Sequence, residues 1–363
     1  MSNLVQDQGA YFRDVSGWES ADWYGGDDIE VETGELTWGR PHWFSRWAEE
    51  HCAVREGVGL IDMSFMSKFE VKGRRAGELL NYLSTGNVDD KRGEVRYVQW
   101  LNEDGKMEAD LTINKVDENE FFIVATDSAH RHVQAWIKKQ AKKLDVIDDI
   151  YVTDVSGALA QINIQGPRSR EVMSALTRED MSDEAFPFRR AAEIEIGYAR
   201  VKCMRMTYVG ELGYELFVPT EQAVHVYERI LKAGQGKRLH HVGLKALASL
   251  RMEKAYRDYG HDLDNTDHIL STGLAFTCDY DKKGGFIGKE AVVRMKEQLK
   301  GKAPSRRVVQ VLVKDPEPLM YHGEILLRDG VVVGDIRAAS YGHTLGGAVG
   351  LGFVEGEVCF LEN

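Results

Sequence analysis

Two acids stand in runs that read as β-strands, where acidic residues are depleted. Glu215 belongs to Thr207-Tyr-Val-Gly-Glu-Leu-Gly-Tyr-Glu-Leu216. That stretch reads as strand, tight turn, strand: residues 201–209 run in, 214–218 run out, and Gly210 and Gly213 supply the turn's conformational freedom. Asp110 belongs to a strand read over 107–116. Met107, Ala109, Leu111 and Ile113 share one face of it, and Glu108, Asp110, Thr112 and Asn114 the other. An acid so placed either faces solvent or is held for a ligand, and pattern alone favours solvent. Arg251 is the third such residue. It interrupts the apolar stripe Leu244, Leu247, Ala248 and Ala255 of a helix read over 242–258 and closed by Gly260. A buried guanidinium needs an anion. Glu253 cannot face it at a separation of two, so the partner is distant in sequence or is a ligand.

The elements that must hold these residues follow from the patterning. The chain has 363 residues, enough for two or three domains, and is 43% hydrophobic and 29% charged, an ordinary globular composition. Residues 1–48 form an irregular arm crowded with Trp18, Trp23, Tyr24, Trp38, Trp43 and Trp47, rings that seldom stay in water and so pack on a later part. Residues 49–290 form an α+β body of two interleaved domains. Within it, a β meander spans 96–126, turning at Glu103-Asp-Gly105 and Asp117-Glu-Asn119, and an amphipathic helix covers 130–143. Residues 291–363 are short strands, with a two-residue hairpin turn at Asp329-Gly330.

Several classes are set aside. The net charge of −12 and the lack of a basic stripe argue against nucleic acid and anionic membranes, though not against a small anion in a local basic pocket. No apolar run has the length of a membrane helix, and the N-terminus lacks signal-peptide character. Cys52, Cys203, Cys278 and Cys359 are scattered, which fits reduced thiols and a cytoplasmic setting. His240, His241 and His261 lack metal-ligand spacing, so no metal site is expected. Gly284-Gly-Phe-Ile-Gly-Lys-Glu290 is too short for a phosphate loop, and Gly350-x-Gly352-x-x-x-Gly356 misses the dinucleotide fingerprint. No FAD or nicotinamide site is visible in this chain.

The words around these residues resemble the aminomethyltransferase (glycine cleavage T-protein) family. TYVGELGYEL is similar to the family's tetrahydrofolate-binding signature. LNEDGKMEADLT resembles its strand bearing an aspartate at the reacting end of the folate, and that aspartate matches Asp110. ALASLRMEKAYRDYGHDLDNTD resembles the version fused behind the flavin domain of dimethylglycine and sarcosine dehydrogenases. Leu247 stands where simple aminomethyltransferases usually carry Asp, which favours that branch. GLIDMSFM, QGPRSR and KKGGFIGK are further points of likeness.

The resemblance implies a three-domain α+β ring around a central folate channel, with a small C-terminal β-barrel domain. It also implies that the chain stops short of the family's closing strands, leaving an open edge. It implies tetrahydrofolate as cofactor, with Glu215, Arg251 and Tyr97 binding it. Glu215 would take the paired N–H donors of the pterin as a charge-assisted bidentate bond. Asp110 would act as base or electrostatic stabiliser near the reacting nitrogens, with Tyr208 closing on that end. Arg251 would meet the glutamyl carboxylates. The expected activity is capture of an iminium or formaldehyde unit, derived from a methylated amine, as 5,10-methylenetetrahydrofolate. A separate FAD oxidoreductase, or another half of a larger enzyme, would supply that unit. The alternatives are redox-neutral demethylation of a sulfonium or quaternary ammonium donor, and a folate-binding regulatory module without chemistry.

Overall fold

Strands with one polar and one apolar face need cover on the apolar side, and two sheets here use helices for it. The computed structural model describes residues 2–25 and 39–356. Trp38, Cys359 and the expected open C-terminal edge lie outside the described residues.

The first sheet is built from β3 (Val58–Asp62), β9 (Leu159–Gln165), β10 (Ala191–Ile196), β11 (Ala199–Met204), β12 (Gly213–Pro219) and β13 (Leu239–His241). Their order is β10-β11-β12-β9-β3-β13, antiparallel except for the β13–β3 edge. The second holds β4 (Ser67–Lys72), β5 (Val95–Leu101), β6 (Met107–Asp117), β7 (Glu120–Ala125) and β8 (Tyr151–Asp154) in the order β5-β6-β7-β4-β8, all antiparallel. A third, four-stranded sheet in the C-terminal part is built from β14 (Arg306–Leu312), β15 (Ile325–Arg328), β16 (Val331–Gly342) and β17 (Gly347–Glu355), ordered β14-β17-β16-β15. Its hairpin turns at Asp329 and Gly330, both at positive φ, as the sequence pattern requires.

Alternation decides which faces meet. Tyr214, Leu216 and Val218 of β12 join the core under α5 (Ser169–Leu176) and α6 (Ala223–Gly234). Met107, Ala109, Leu111 and Ile113 of β6 join the core under α3 (Ala76–Leu83) and α4 (His130–Lys143), to which Val292 of α8 (Lys289–Leu299) also belongs. The opposite faces of the two sheets therefore turn toward each other. Phe122 of β7 meets Phe217 of β12 edge-on at 5.0 Å, and Val95, Val124, Ala191 and Met204 complete that apolar contact. A further core packs α2 (Phe44–Glu56) and α7 (Leu244–Glu253) on β3 and on Tyr341 of β16.

Three parts of the sequence reading are corrected. The N-terminal arm is not irregular where it is described: α1 (Ser2–Gln6) precedes a hairpin of β1 (Ala10–Val15) and β2 (Trp18–Tyr24). Its rings do leave water, since Trp23 and Trp47 are buried. The hairpin around Glu215 has no tight turn. β11 ends at Met204 and β12 starts at Gly213, so residues 205–212 form a loop, and Tyr208 lies on that loop and not on a strand. Gly210 does need its positive φ of +78°, but Gly213 is set by contact: a Cβ there would meet Oε1 of Gln165 at 1.9 Å and displace that amide. Finally, α7 ends at Glu253, five residues before the expected 258. Ala255 turns into the left-handed region at φ 53° and leaves the helical stripe.

Candidate functional site

Asp110 sits between two donors. Tyr97 Oη and Gln99 Nε2, both on β5, each donate to its carboxylate at 2.9 Å. Register explains this, because Gln99 is paired with Asp110 and Tyr97 with the next same-face residue, Thr112. The Thr277 hydroxyl donates to Gln99 Oε1, which fixes the amide with its nitrogen toward Asp110. Burial pushes the carboxyl up to about 7 against the pull of those hydrogen bonds. Asp258 raises it further and Arg257 lowers it.

Glu215 shares its face of β12 with Phe217, and Asp110 shares its face of the second sheet with Phe122 and Val124. Both acids thus point into the gap between the sheets. The 205–212 loop leads directly into Gly213 and carries Tyr208 within electrostatic reach of Asp110 and Tyr97. Glu215 and Asp110 accordingly lie toward the same end of the gap. They are not a shared-proton pair. Burial alone pushes Glu215 up to about 7, and neither acid shifts the other. The Glu215 carboxylate accepts no hydrogen bond and makes no ion pair among the described residues.

On β9, the neighbour of β12, the residues opposite Phe217, Glu215 and Gly213 are Gln161, Asn163 and Gln165. All three are buried, and their side-chain carbonyl oxygens find no donor. Gln165 Nε2 reaches Met206 O at 3.3 Å. A carboxylate and three amide oxygens without donors in one buried wall suit a ligand edge rich in N–H groups.

The other expected site residues are placed as follows. Tyr208 donates its hydroxyl to Arg257 O at 2.7 Å and stacks on Tyr256 at 6.3 Å, and burial holds its pKa well above the usual range. That hydroxyl proton is engaged by the backbone, so the ring, not an acidic OH, is what Tyr208 offers to the gap. Arg251 corrects an expectation. Its anion is Asp262, eleven residues on, and Nη1 also donates to Tyr256 O at 3.1 Å. This buried pair fastens the turn after α7, and the argument for an external anion no longer applies. The cation delivered toward Asp110 is Arg257. It is half-buried, and its Nε donates to Thr272 O at 3.0 Å. The sequence reading missed it because α7 was extended through it. Among the described residues no cluster of three or more His, Cys, Asp and Glu is arranged to hold a metal ion. No helix among them is long and apolar enough to cross a membrane.

Comparison with known proteins places this arrangement. The family model of the GCVT N-terminal domain matches residues 1–282, and that of the glycine cleavage T-protein C-terminal barrel domain matches residues 306–359. The chain belongs to the glycine cleavage T-protein family. It is 40% identical over 347 residues, 96% of its length, to a Paenarthrobacter nicotinovorans protein named 4-methylaminobutanoate oxidase (formaldehyde-forming). It is 30% identical over 341 residues to mitochondrial dimethylglycine dehydrogenase of Mus musculus, covering 93% of this chain. It spans only 41% and 38% of those two proteins. An aminomethyltransferase of Clostridium botulinum is 31% identical over 92% of this T-protein family chain and 86% of its own. Aminomethyltransferase T of the Bartonella henselae glycine cleavage system superposes with a TM-score of 0.80 at 23% identity, over 97% of this chain and 88% of that one, which establishes the fold.

Proposed function

We propose that this T-protein family member is a tetrahydrofolate-dependent one-carbon transferase. It takes up an iminium or formaldehyde unit, released from a methylated amine by a flavoprotein, as 5,10-methylenetetrahydrofolate. The observation that carries the reading is the pair of separated carboxylates facing one gap, each pushed to about 7, one with donors and one without. The residues present fit a reduced pterin, because only burial acts on the Glu215 carboxyl and the β9 amide oxygens have no donor, and such a ring brings N–H groups to both. When bound, the folate supplies the two nitrogens that receive the carbon.

Each residue then has a task. Glu215, once ionised, accepts two adjacent ring N–H groups and sets the ring's orientation. Asp110, held by Tyr97 and Gln99, takes up a proton near neutral pH, where an acid poised at about 7 exchanges protons best. Arg257 offsets the charge on Asp110. Tyr208 and Tyr256 present stacked rings and limit water on that side. The oxidation belongs to a flavoprotein part or partner. Supporting this is the likeness over 96% of this chain to a protein named as a formaldehyde-forming oxidase of which it matches two fifths.

The test is anaerobic calorimetry with tetrahydrofolate, followed by a formaldehyde-capture rate measured above the uncatalysed background. Binding that weakens at least tenfold in Glu215→Ala, with a rate lowered about 10²–10⁴-fold in Asp110→Asn, is the expected result. Methyl-folate formed from a sulfonium donor without an oxidase would move the assignment to a demethylase. Binding without any acceleration would leave a folate-binding module.

A further inference from the structure

Glu215 does not exhaust the donors of the ring proposed for it. A 2-amino-4-oxo ring carries an N3–H and an amino group with two hydrogens. A carboxylate that takes N3–H and one amino hydrogen leaves the second amino hydrogen without an acceptor. Burying that hydrogen unpaired forfeits its hydration with no return, so a site built for the ring needs another oxygen beside the carboxylate.

The spacing of that oxygen is fixed by chemistry. The two N–H bonds of an amino group diverge by about 120°, and each reaches its acceptor at about 2.9 Å, so the acceptors lie about 5 Å apart. Directly opposed side chains across an antiparallel pair have Cβ atoms about 4.5–5.5 Å apart. The neighbour opposite Glu215 on one side is Met204 of β11, which has no polar group. On the other side it is Asn163 of β9. Asn163 is 2% exposed and its Oδ1 is buried without a donor. The amide can turn about its last bond to present that oxygen, and a donor arriving in the gap relieves an acceptor that is otherwise unpaired.

We propose that Asn163 is a specificity-determining residue that accepts the second hydrogen of the ring's 2-amino group, side by side with Glu215. The proposal rests on the folate reading above and goes further. It makes the Glu215–Asn163 rung a reader of the exocyclic amino group, so that rings lacking it are rejected. Gln161, at the next same-face position, is opposite Phe217, whose ring fills that rung against Phe122. Gln165 lies over Gly213 and is tied to Met206 O. Asn163 is therefore the one amide of the three placed to share a ligand group with the carboxylate.

A cycle that pairs a protein change with a ligand change tests this. Anaerobic calorimetry would compare tetrahydrofolate with its analogue bearing a methyl in place of the 2-amino group, in wild type, Asn163→Leu and Asn163→Asp. The wild type is expected to prefer the amino form. Asn163→Leu should cut that preference about five- to tenfold, the worth of one neutral hydrogen bond, while binding the methyl analogue as wild type does. Asn163→Asp, which keeps a carbonyl acceptor in either protonation state, should retain the preference. Asn163→Ala provides the same comparison if leucine does not fit the fold. A preference unchanged within twofold in both apolar variants, or equal weakening toward both ligands, would overturn the proposal while leaving the folate reading standing. Failure of the wild type to bind tetrahydrofolate would instead overturn the folate reading, and this one with it.

Discussion

Glu215 and Asp110 are the same chemistry in two settings, and the settings separate their tasks. Asp110 already accepts two hydrogen bonds, so its charge is partly provided for. Glu215 has only burial acting on it. A carboxyl raised to about 7 when folded, against about 4.3 unfolded, binds its proton more tightly in the native state. Its contribution to stability is therefore fully present below about pH 4, falls as pH rises to about 7, and is level beyond that. Glu215→Gln removes this penalty. Without ligand, the variant should be more stable than wild type at pH 8, by about 1–2 kcal/mol after allowing for water reaching the half-buried carboxyl. The gain should shrink toward zero by pH 4–5. The same variant should bind tetrahydrofolate at least tenfold more weakly, because an amide offers one acceptor where two donors arrive. Urea unfolding across that pH range checks the first statement and calorimetry the second. A variant less stable than wild type at pH 8 would show that Glu215 has a partner in the folded chain.

At the scale of elements, the alternation of β6 was readable, and it put Asp110 on the face that the structure turns inward. What it could not say was that the polar face meets a second sheet and not water. That depends on Phe217 reaching Phe122, a contact between residues 95 positions apart. The β9 amides were equally legible as a signal. Gln161, Asn163 and Gln165 recur with a period of two between Ile162 and Ile164, the pattern of a strand with one polar face. The end of α7 was not legible, since Lys254, Ala255 and Arg257 beyond it are good helix formers. The helix stops there because the Arg251–Asp262 pair and the Arg251 bond to Tyr256 O favour a reversal. Gly213 was read as giving the turn conformational freedom, whereas the structure gives positive φ to Gly210 and places the Gln165 amide against Gly213. Gly213→Ala should push the Gln165 amide off Met206 O and loosen the loop that carries Tyr208. The expected cost is about 1–3 kcal/mol, read as a lower urea midpoint, with faster amide exchange confined to residues 205–212. Unchanged exchange there would mean that the Gln165 side chain moves aside without consequence.

At the scale of the whole molecule, the question is what holds the C-terminal barrel domain to the α+β body, and a buried polar cluster supplies an answer. His51 of α2 is fully buried between Ser249 of α7 and Thr344 of the β16–β17 turn, at 2.8 Å from each hydroxyl. Ser249 donates its proton to Tyr341 O at 2.6 Å, so it must accept from His51 Nδ1–H. Glu253 accepts the Thr344 amide at 2.8 Å and pairs with Arg55 at 3.1 Å. Two body helices and one barrel turn thus share one network, in which Glu253 of α7 reaches both α2 and the barrel turn. Burial opposes its ionisation, yet His51, the Thr344 amide and Arg55 hold it down to about 2. The sign follows from that depression. The tie contributes fully above about pH 4.3 and is lost as pH falls toward 2. Glu253→Ala should remove it at neutral pH. The barrel turn at 341–345 and the adjoining ends of β16 and β17 should then exchange amide protons faster by at least tenfold, while the β6 core stays protected. Wild type brought from pH 6 to pH 3 should show the same local loosening before the body melts, once exchange is corrected for its intrinsic pH dependence. Equal protection of the turn in variant and wild type would mean that the apolar contact of Tyr341 with Phe44 and Trp47 holds the barrel without the network.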